Sequence, residues 1–247
     1  MPGNCRSAQR VAVVLPYREA QAQLRVVLHN LLTVLHAQML DFTVFVIEQE
    51  RPSQYNRALL FNVGFLEASV LRDYDCFLFH DLDLVMVDDR VTLTCGTGPR
   101  HLTLEPGLRP GYGPENANMF AGVALFTRDQ YIRINGASNL FFGIDGGEDD
   151  LWRRVHHSNM MMSRVAGSVV AYSQVRHSEQ LEEDKDKVAR KLRKELLRRS
   201  AERIPEDGLT SLTYSKLSHA YTQLAIWIKV AVDQNLIQQV RGVSSVP

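Results

Sequence analysis

The first third of the chain alternates short apolar runs with amphipathic stretches. "RVAVVLPYRE" (10–19) is a β-branched run closed by Pro16, which predicts a buried strand opening into a loop. Residues 20–38, "AQAQLRVVLHNLLTVLHAQ", carry apolar side chains at helical spacing. "DFTVFVIEQE" (41–50) predicts a second strand, and "NRALLFNVGFLEASVL" (56–71) a second helix. "DCFLFHDLDLVM" (75–86) reads as one third strand ending in carboxylates. Strand, helix, strand, helix, strand argues for an α/β fold with a mostly parallel central sheet covered on both faces. Ligands of such sheets sit beyond the carboxyl ends of the strands. Pro16-Tyr17-Arg18, Glu48-Gln49 and Asp81-Leu82-Asp83 all fall at those ends.

Further on the pattern is less regular. "GTGPRHLTLEPGLRPGYGPENANMF" (96–120) is rich in Gly and Pro and predicts irregular surface. "AGVALFTRDQYIRING" (121–136) predicts a strand and a short helix, and "SVVAYSQV" (168–175) another strand. Residues 179–203 are strongly charged without Gly or Pro, as in a solvated helix or a mobile segment able to become helical. "LTSLTYSKLSHAYTQLAIWIKVAV" (209–232) returns to strand-like composition. With no repeat and no convincing linker, residues 1–247 are read as a single domain.

Composition narrows the function classes. Twenty-eight basic residues balance 28 acidic ones, so no global field draws nucleic acid or an anionic membrane. No apolar run reaches the roughly 18 residues that span a bilayer, so no membrane contact is expected from this chain itself. Cys5, Cys76 and Cys95 are an odd number without metal-binding spacing.

Four places carry candidate chemistry. In "HDLDL", Asp81 and Asp83 share one side of a strand end, where two carboxylates repel unless a cation or hydrogen bonds compensate. Mg²⁺ or Mn²⁺ holding a diphosphate would compensate; a solvated turn is the plainer alternative. His177, at the end of "SVVAYSQVRHS", is the best nitrogen ligand if Asp83 reaches it. Tyr55 and Arg57 at a helix start could grip a base and its phosphates. "FFGIDGGEDDLWRR" (141–154) then sets Glu148, Asp149 and Asp150 after Gly146 and Gly147. Three acids in a first helical turn complement the helix dipole, but one of them could also take the proton of an attacking sugar hydroxyl.

Together these motifs resemble the β-1,4-galactosyltransferase family over about Cys5 to Gln223. "VAVVLPYRE" is similar to the family's nucleotide-binding strand end, with Pro16 and Arg18 retained, and "YNRALLFNVGF" is close to its "FNRAxLxNVGF". "HDLDL" resembles "DVDL", "VRHS" carries the family's metal-binding histidine, and "DGLTSLTY" resembles "DGLNSLTY". The resemblance implies a GT-A-like nucleotide-sugar transferase: a single catalytic domain that moves galactose or N-acetylgalactosamine from a UDP-sugar with inversion. The acceptor would be the 4-OH of a terminal GlcNAc on a glycan, glycoprotein or glycolipid. It implies Pro16, Arg18, Tyr55, Arg57, Asp81, Leu82, Met119, Gly146, Gly147 and Asp150 around the substrates. Asp83, His177 and Gln174 would hold Mn²⁺, with Mg²⁺ the other candidate, and Glu148 or Asp149 would be the base. Cys76 and Cys95 would form a family disulfide. Residues 178–206 would be a mobile loop that closes over the donor. The full-length protein would be a type II membrane protein of the Golgi lumen, its stem and anchor upstream of this chain.

Departures are equally specific. The family loop is approximately "WGWGGEDDD"; counted without gaps from Phe120, Phe142 and Ile144 stand here at its two tryptophans and Glu148 at the catalytic Asp, whereas aligning the GGEDD letters makes Asp149 the base. Ala20 replaces a second nucleotide-binding arginine and Gln174 a methionine ligand, whose harder amide oxygen shifts preference toward Mg²⁺. Met119 stands at the position that limits room beside the donor's C2 substituent, leaving the donor sugar open.

Overall fold

The computed structural model describes residues 7–103, 120–165, 172–175 and 187–240. Strands β1 (Arg10–Tyr17), β2 (Asp41–Gln49) and β3 (Cys76–His80) lie parallel with β1 in the middle. They are connected by α1 (Gln21–Ala37) and α2 (Arg57–Leu71), as the hydrophobic pattern predicts. Alternation along β1 explains the layering. Val11, Val13, Leu15 and Tyr17 pack with Leu24, Val27 and Leu31 of α1, while Ala12 and Val14 pack with α2. Gly64 lets α2 approach closely, because a Cβ there would stand 2.3 Å from Val14 Cγ1.

The predicted third strand is in fact two. It leaves the main sheet at His80, turns through Asp81–Asp83, and resumes as β4 (Leu84–Met86). β4 pairs antiparallel with β8 (Tyr172–Gln174) in a separate small sheet. Polar His80, Asp81 and Asp83 interrupt the apolar run at the break, but spacing alone does not show that Leu84–Met86 resumes in a different sheet.

Short strands β5 (Arg100–His101), β6 (Val123–Thr127) and β7 (Ser163–Arg164) extend the main sheet beyond β3. On the far side it continues through β10 (Ile226–Ala231) and β9 (Ser215–Tyr221) in the order β7-β5-β6-β3-β1-β2-β10-β9. β3, β1, β2 and β10 are parallel, while β6 and β9 join them antiparallel. The fold is therefore α/β with a parallel centre, as expected. Its other helices are α3 (Arg128–Arg133), α4 (Gly147–His157), α5 (Lys187–Arg198), α6 (Ser200–Arg203) and α7 (Gln234–Val240). Residues 187–203 of the expected mobile segment are thus almost wholly helical, and its start lies outside the described residues. Cys76 and Cys95 form a disulfide at the start of β3, and Cys5 lies outside the described residues. Among the described residues no helix is long and apolar enough to cross a membrane.

Candidate active site

The carboxyl ends of β1, β2 and β3 meet the first turns of α2 and α4. After β1, Arg18 donates to the carbonyls of Gln49 and Glu50 at the end of β2, and its guanidinium lies 5.4 Å from the Tyr55 ring centre. Helix α2 starts where it does because Asn56 caps it, its side chain accepting from Leu59 N at 3.0 Å. That cap fixes Tyr55 and Arg57 on either side of it. Burial pushes the Tyr55 hydroxyl pKa up, with the nearby Asp81 carboxylate adding to the effect, so the ring is a neutral platform.

Arg57 joins two parts of the site. Its Nε donates to Asp81, and Nη1 donates to Glu148 Oε1 at 2.9 Å. Asp81 is 8% exposed, and its pKa is pushed up to about 6 by burial; Arg57 opposes that rise and Asp83 adds to it. Asp83 is equally buried, while Leu82 between them turns into the core against α1. β8 closes this corner. Leu84 stands opposite Gln174, and Val175 N donates to the Asp83 carbonyl at 2.7 Å.

Two neighbouring buried carboxylates, with Gln174 on the strand paired to the one that follows them, are oxygen donors that suit a hard divalent cation. Among the described residues no three His, Cys, Asp or Glu side chains converge as a metal site. His177, the expected third ligand, follows Val175 by two residues and lies outside the described residues, as does Met119. Pro16 is buried in β1 opposite Ile47.

The acidic stretch begins helix α4. Gly146 caps it at φ +114°, a left-handed conformation in which any other residue is strained. Gly147 meets Ala58 of α2 closely, since a Cβ there would stand 3.5 Å from that side chain. The three acids in the first turn then separate. Glu148 faces Arg57, Asp149 accepts from Arg193 of α5 at 2.9 Å, and Asp150 turns inward with no exposure.

Asp150 was expected beside the substrate, and its placement corrects that expectation. Its two oxygens accept from Arg154 at 2.5 Å and Arg203 at 2.7 Å, so it braces the helix from inside. Arg154 also reaches the Asp207 carboxylate and carbonyl, and Arg203 donates to Asp207 and to the Leu196 carbonyl. Asp207 additionally accepts from Ser138 Oγ and Asn139 N. A second buried set ties Asn62 of α2 to Ala137, Asn139 and Tyr131. Asp150–Arg154 and Arg203–Asp207 have an i,i+4 spacing, whereas Arg203–Asp150, Arg154–Asp207 and the ties of Asn62 to Ala137 and Asn139 join partners 53 to 77 positions apart, which no spacing in the sequence signals.

Comparison with known proteins points to one family. Residues 1–96 match the N-terminal region of glycosyl transferase group 7, and residues 109–178 match the N-terminal domain of galactosyltransferase, together about two thirds of the chain. β-1,4-Galactosyltransferase 4 of Rattus norvegicus is 36% identical over 232 residues, 94% of this chain and 65% of that protein. The chain belongs to the β-1,4-galactosyltransferase family.

The chain thus spans about 65% of the length of this galactosyltransferase. A β-N-acetyl-D-glucosaminide β-1,4-N-acetylglucosaminyl-transferase of Lymnaea stagnalis is 41% identical over 180 residues, 72% of this chain and 36% of that one. The catalytic domain of Drosophila β1,4-galactosyltransferase 7 shares the fold with a TM-score of 0.77 at 24% identity, covering 92% of this chain and 95% of that one. A variant of the same Drosophila enzyme has been solved with manganese, UDP-Gal and xylobiose. Against the family loop, Phe142 is buried in the core and Ile144 is half-buried against it.

Proposed function

We propose that this chain is the catalytic domain of a metal-dependent inverting glycosyltransferase. It moves galactose or N-acetylgalactosamine from a UDP-sugar to the 4-OH of a terminal GlcNAc on a glycan, glycoprotein or glycolipid. The observation that carries this reading is the bridge made by Arg57, which joins Asp81 of the candidate metal corner to Glu148 of the acidic loop. One guanidinium thereby ties the proposed metal corner to the acidic loop that carries the proposed base.

Arg18 and Tyr55 hold the nucleotide, with Pro16 shaping the strand end beneath it. Asp83, Gln174 and His177 would hold Mn²⁺ or Mg²⁺, a cation that would supply charge neutralisation to the diphosphate leaving group. Asp149 is the base that takes the proton of the attacking hydroxyl, with Glu148 oriented toward the donor. That division is supported by their partners: Glu148 is tied to Arg57 on the nucleotide side, and Asp149 to Arg193 on α5. Direct displacement needs no protein nucleophile, so one base and a stabilised leaving group suffice. Met119 governs the donor sugar, and the Lymnaea relative extends the donors worth assaying to UDP-GlcNAc. Location in the Golgi lumen is supported by the Cys76–Cys95 disulfide, which suits an oxidising compartment.

A second reading, a relative that binds nucleotide sugar without turnover, is favoured by one observation: the core burial of Phe142 where the family has a tryptophan. UDP release with Mn²⁺ from UDP-Gal, UDP-GalNAc or UDP-GlcNAc, with and without a GlcNAc-terminated acceptor, separates the two. Acceptor-dependent release lost in Asp83→Asn supports the transferase. Metal-dependent UDP binding without release supports the binding relative.

A further inference from the structure

His80 ends β3 immediately before the two carboxylates, and its side chain has no exposure. Its Nδ1 lies 2.6 Å from the carbonyl oxygen of Asp81. A carbonyl only accepts, so Nδ1 carries the proton and donates it, which fixes the tautomer. The acceptor belongs to the peptide between Asp81 and Leu82, the first link of the short turn that aims Asp81 and Asp83. The other end of that turn is held by Val175 N on the Asp83 carbonyl. The His80 ring also packs edge-on against Tyr172 of β8 at 5.6 Å, on the strand that supplies Gln174.

We propose that His80 is a positioning residue for the divalent cation. Its Nδ1–H fixes the Asp81–Leu82 peptide, and its ring holds β8 against the turn, so the carboxylates and the β8 amide keep one spacing. This rests on the metal reading above but assigns to His80 a role that the ligands alone do not supply. An apolar residue would fill the same core space without restraining the peptide. Second-layer hydrogen bonds of this kind change metal affinity by about ten- to a hundred-fold.

The test is Mn²⁺ affinity of the 247-residue chain in the presence of UDP, read from free Mn²⁺ by electron paramagnetic resonance, with the melting temperature recorded for each variant. His80→Asn places an amide N–H near the Nδ1 position and is expected to stay within a few-fold of wild type. His80→Leu and His80→Gln lack a donor there and are expected to weaken Mn²⁺ by about ten-fold or more. His80→Gln keeps the test decisive if His80→Leu does not fold. Equal affinity in wild type and His80→Gln overturns the proposal, and so does equal loss in His80→Asn and His80→Gln. If wild type binds no Mn²⁺ in a manner that Asp83→Asn abolishes, the metal reading itself fails, and this proposal with it.

Discussion

Asp149 and Arg193 face one another at 2.9 Å across the gap between α4 and α5, each partly exposed, while the neighbouring Glu148 is held by Arg57. Two adjacent carboxylates thus have different neighbours. Asp149→Asn removes the proposed base but keeps the shape and a hydrogen-bond acceptor. Turnover is expected to fall about 10²- to 10⁴-fold, the range for general-base catalysis, with UDP and metal affinity unchanged. Glu148→Gln is expected to raise the KM for the donor through Arg57. Steady-state kinetics on both variants check this, and a larger loss of kcat in Glu148→Gln would reverse the assignment.

Much of this arrangement was legible in the sequence. β1, α1, β2 and α2 lie where the hydrophobic pattern predicts them, because the strands are apolar runs of a sheet covered on both faces and the helices between them carry apolar side chains at helical spacing. Arg18, Tyr55, Arg57, Asp81 and Asp83 followed, since strand ends and helix starts place side chains predictably. That Leu84–Met86 belongs to another sheet was not legible, because the short apolar segment after the carboxylates carries no mark of its pairing partner. Nor was the inward turn of Asp150. Glu148, Asp149 and Asp150 are chemically alike as letters, and only the meeting of α4 with Arg203 and Asp207 distinguishes the third.

That buried set makes a strong stability prediction. Arg154 and Arg203 both donate to Asp207, and neither guanidinium has much access to water. Asp207→Asn leaves one carboxylate, Asp150, for two buried cations. Breaking a buried pair from one side costs about 3–5 kcal/mol. For a domain of this size that is a fall in melting temperature on the order of 10 °C. Calorimetry measures it, and a fall of only a degree or two would mean that water or a neighbouring residue takes over the lost charge.

The Cys76–Cys95 bridge is expected to matter mainly through the unfolded chain. Its two ends are 19 positions apart, and closing a loop of that length restricts the unfolded state by about 3 kcal/mol. Cys95→Ser should lower the denaturant midpoint accordingly without changing nucleotide affinity, since Cys76 sits at the opposite end of β3 from Asp81 and Asp83. Wild type kept in reducing agent should approach the same midpoint.

His101 gives the protein an acid limit. It is buried at the end of β5, with Nε2 donating to the Ala121 carbonyl at 2.7 Å. Burial lowers its pKa to about 4, whereas the unfolded value is near 6.5. Between those values the unfolded chain binds a proton that the folded chain refuses. Stability is therefore complete above pH 6.5, declines as pH falls toward 4, and declines no further from this residue below that. The loss is on the order of 3 kcal/mol. His80 is lowered to about 4 by burial as well and adds to the same window. His101→Gln sets an amide N–H near the Nε2 position without a titrating group. Urea unfolding at several pH values should show a shallower dependence between pH 6.5 and 4 in that variant than in wild type, whatever its stability at pH 7. Parallel profiles would mean that His101 takes up its proton in the folded protein.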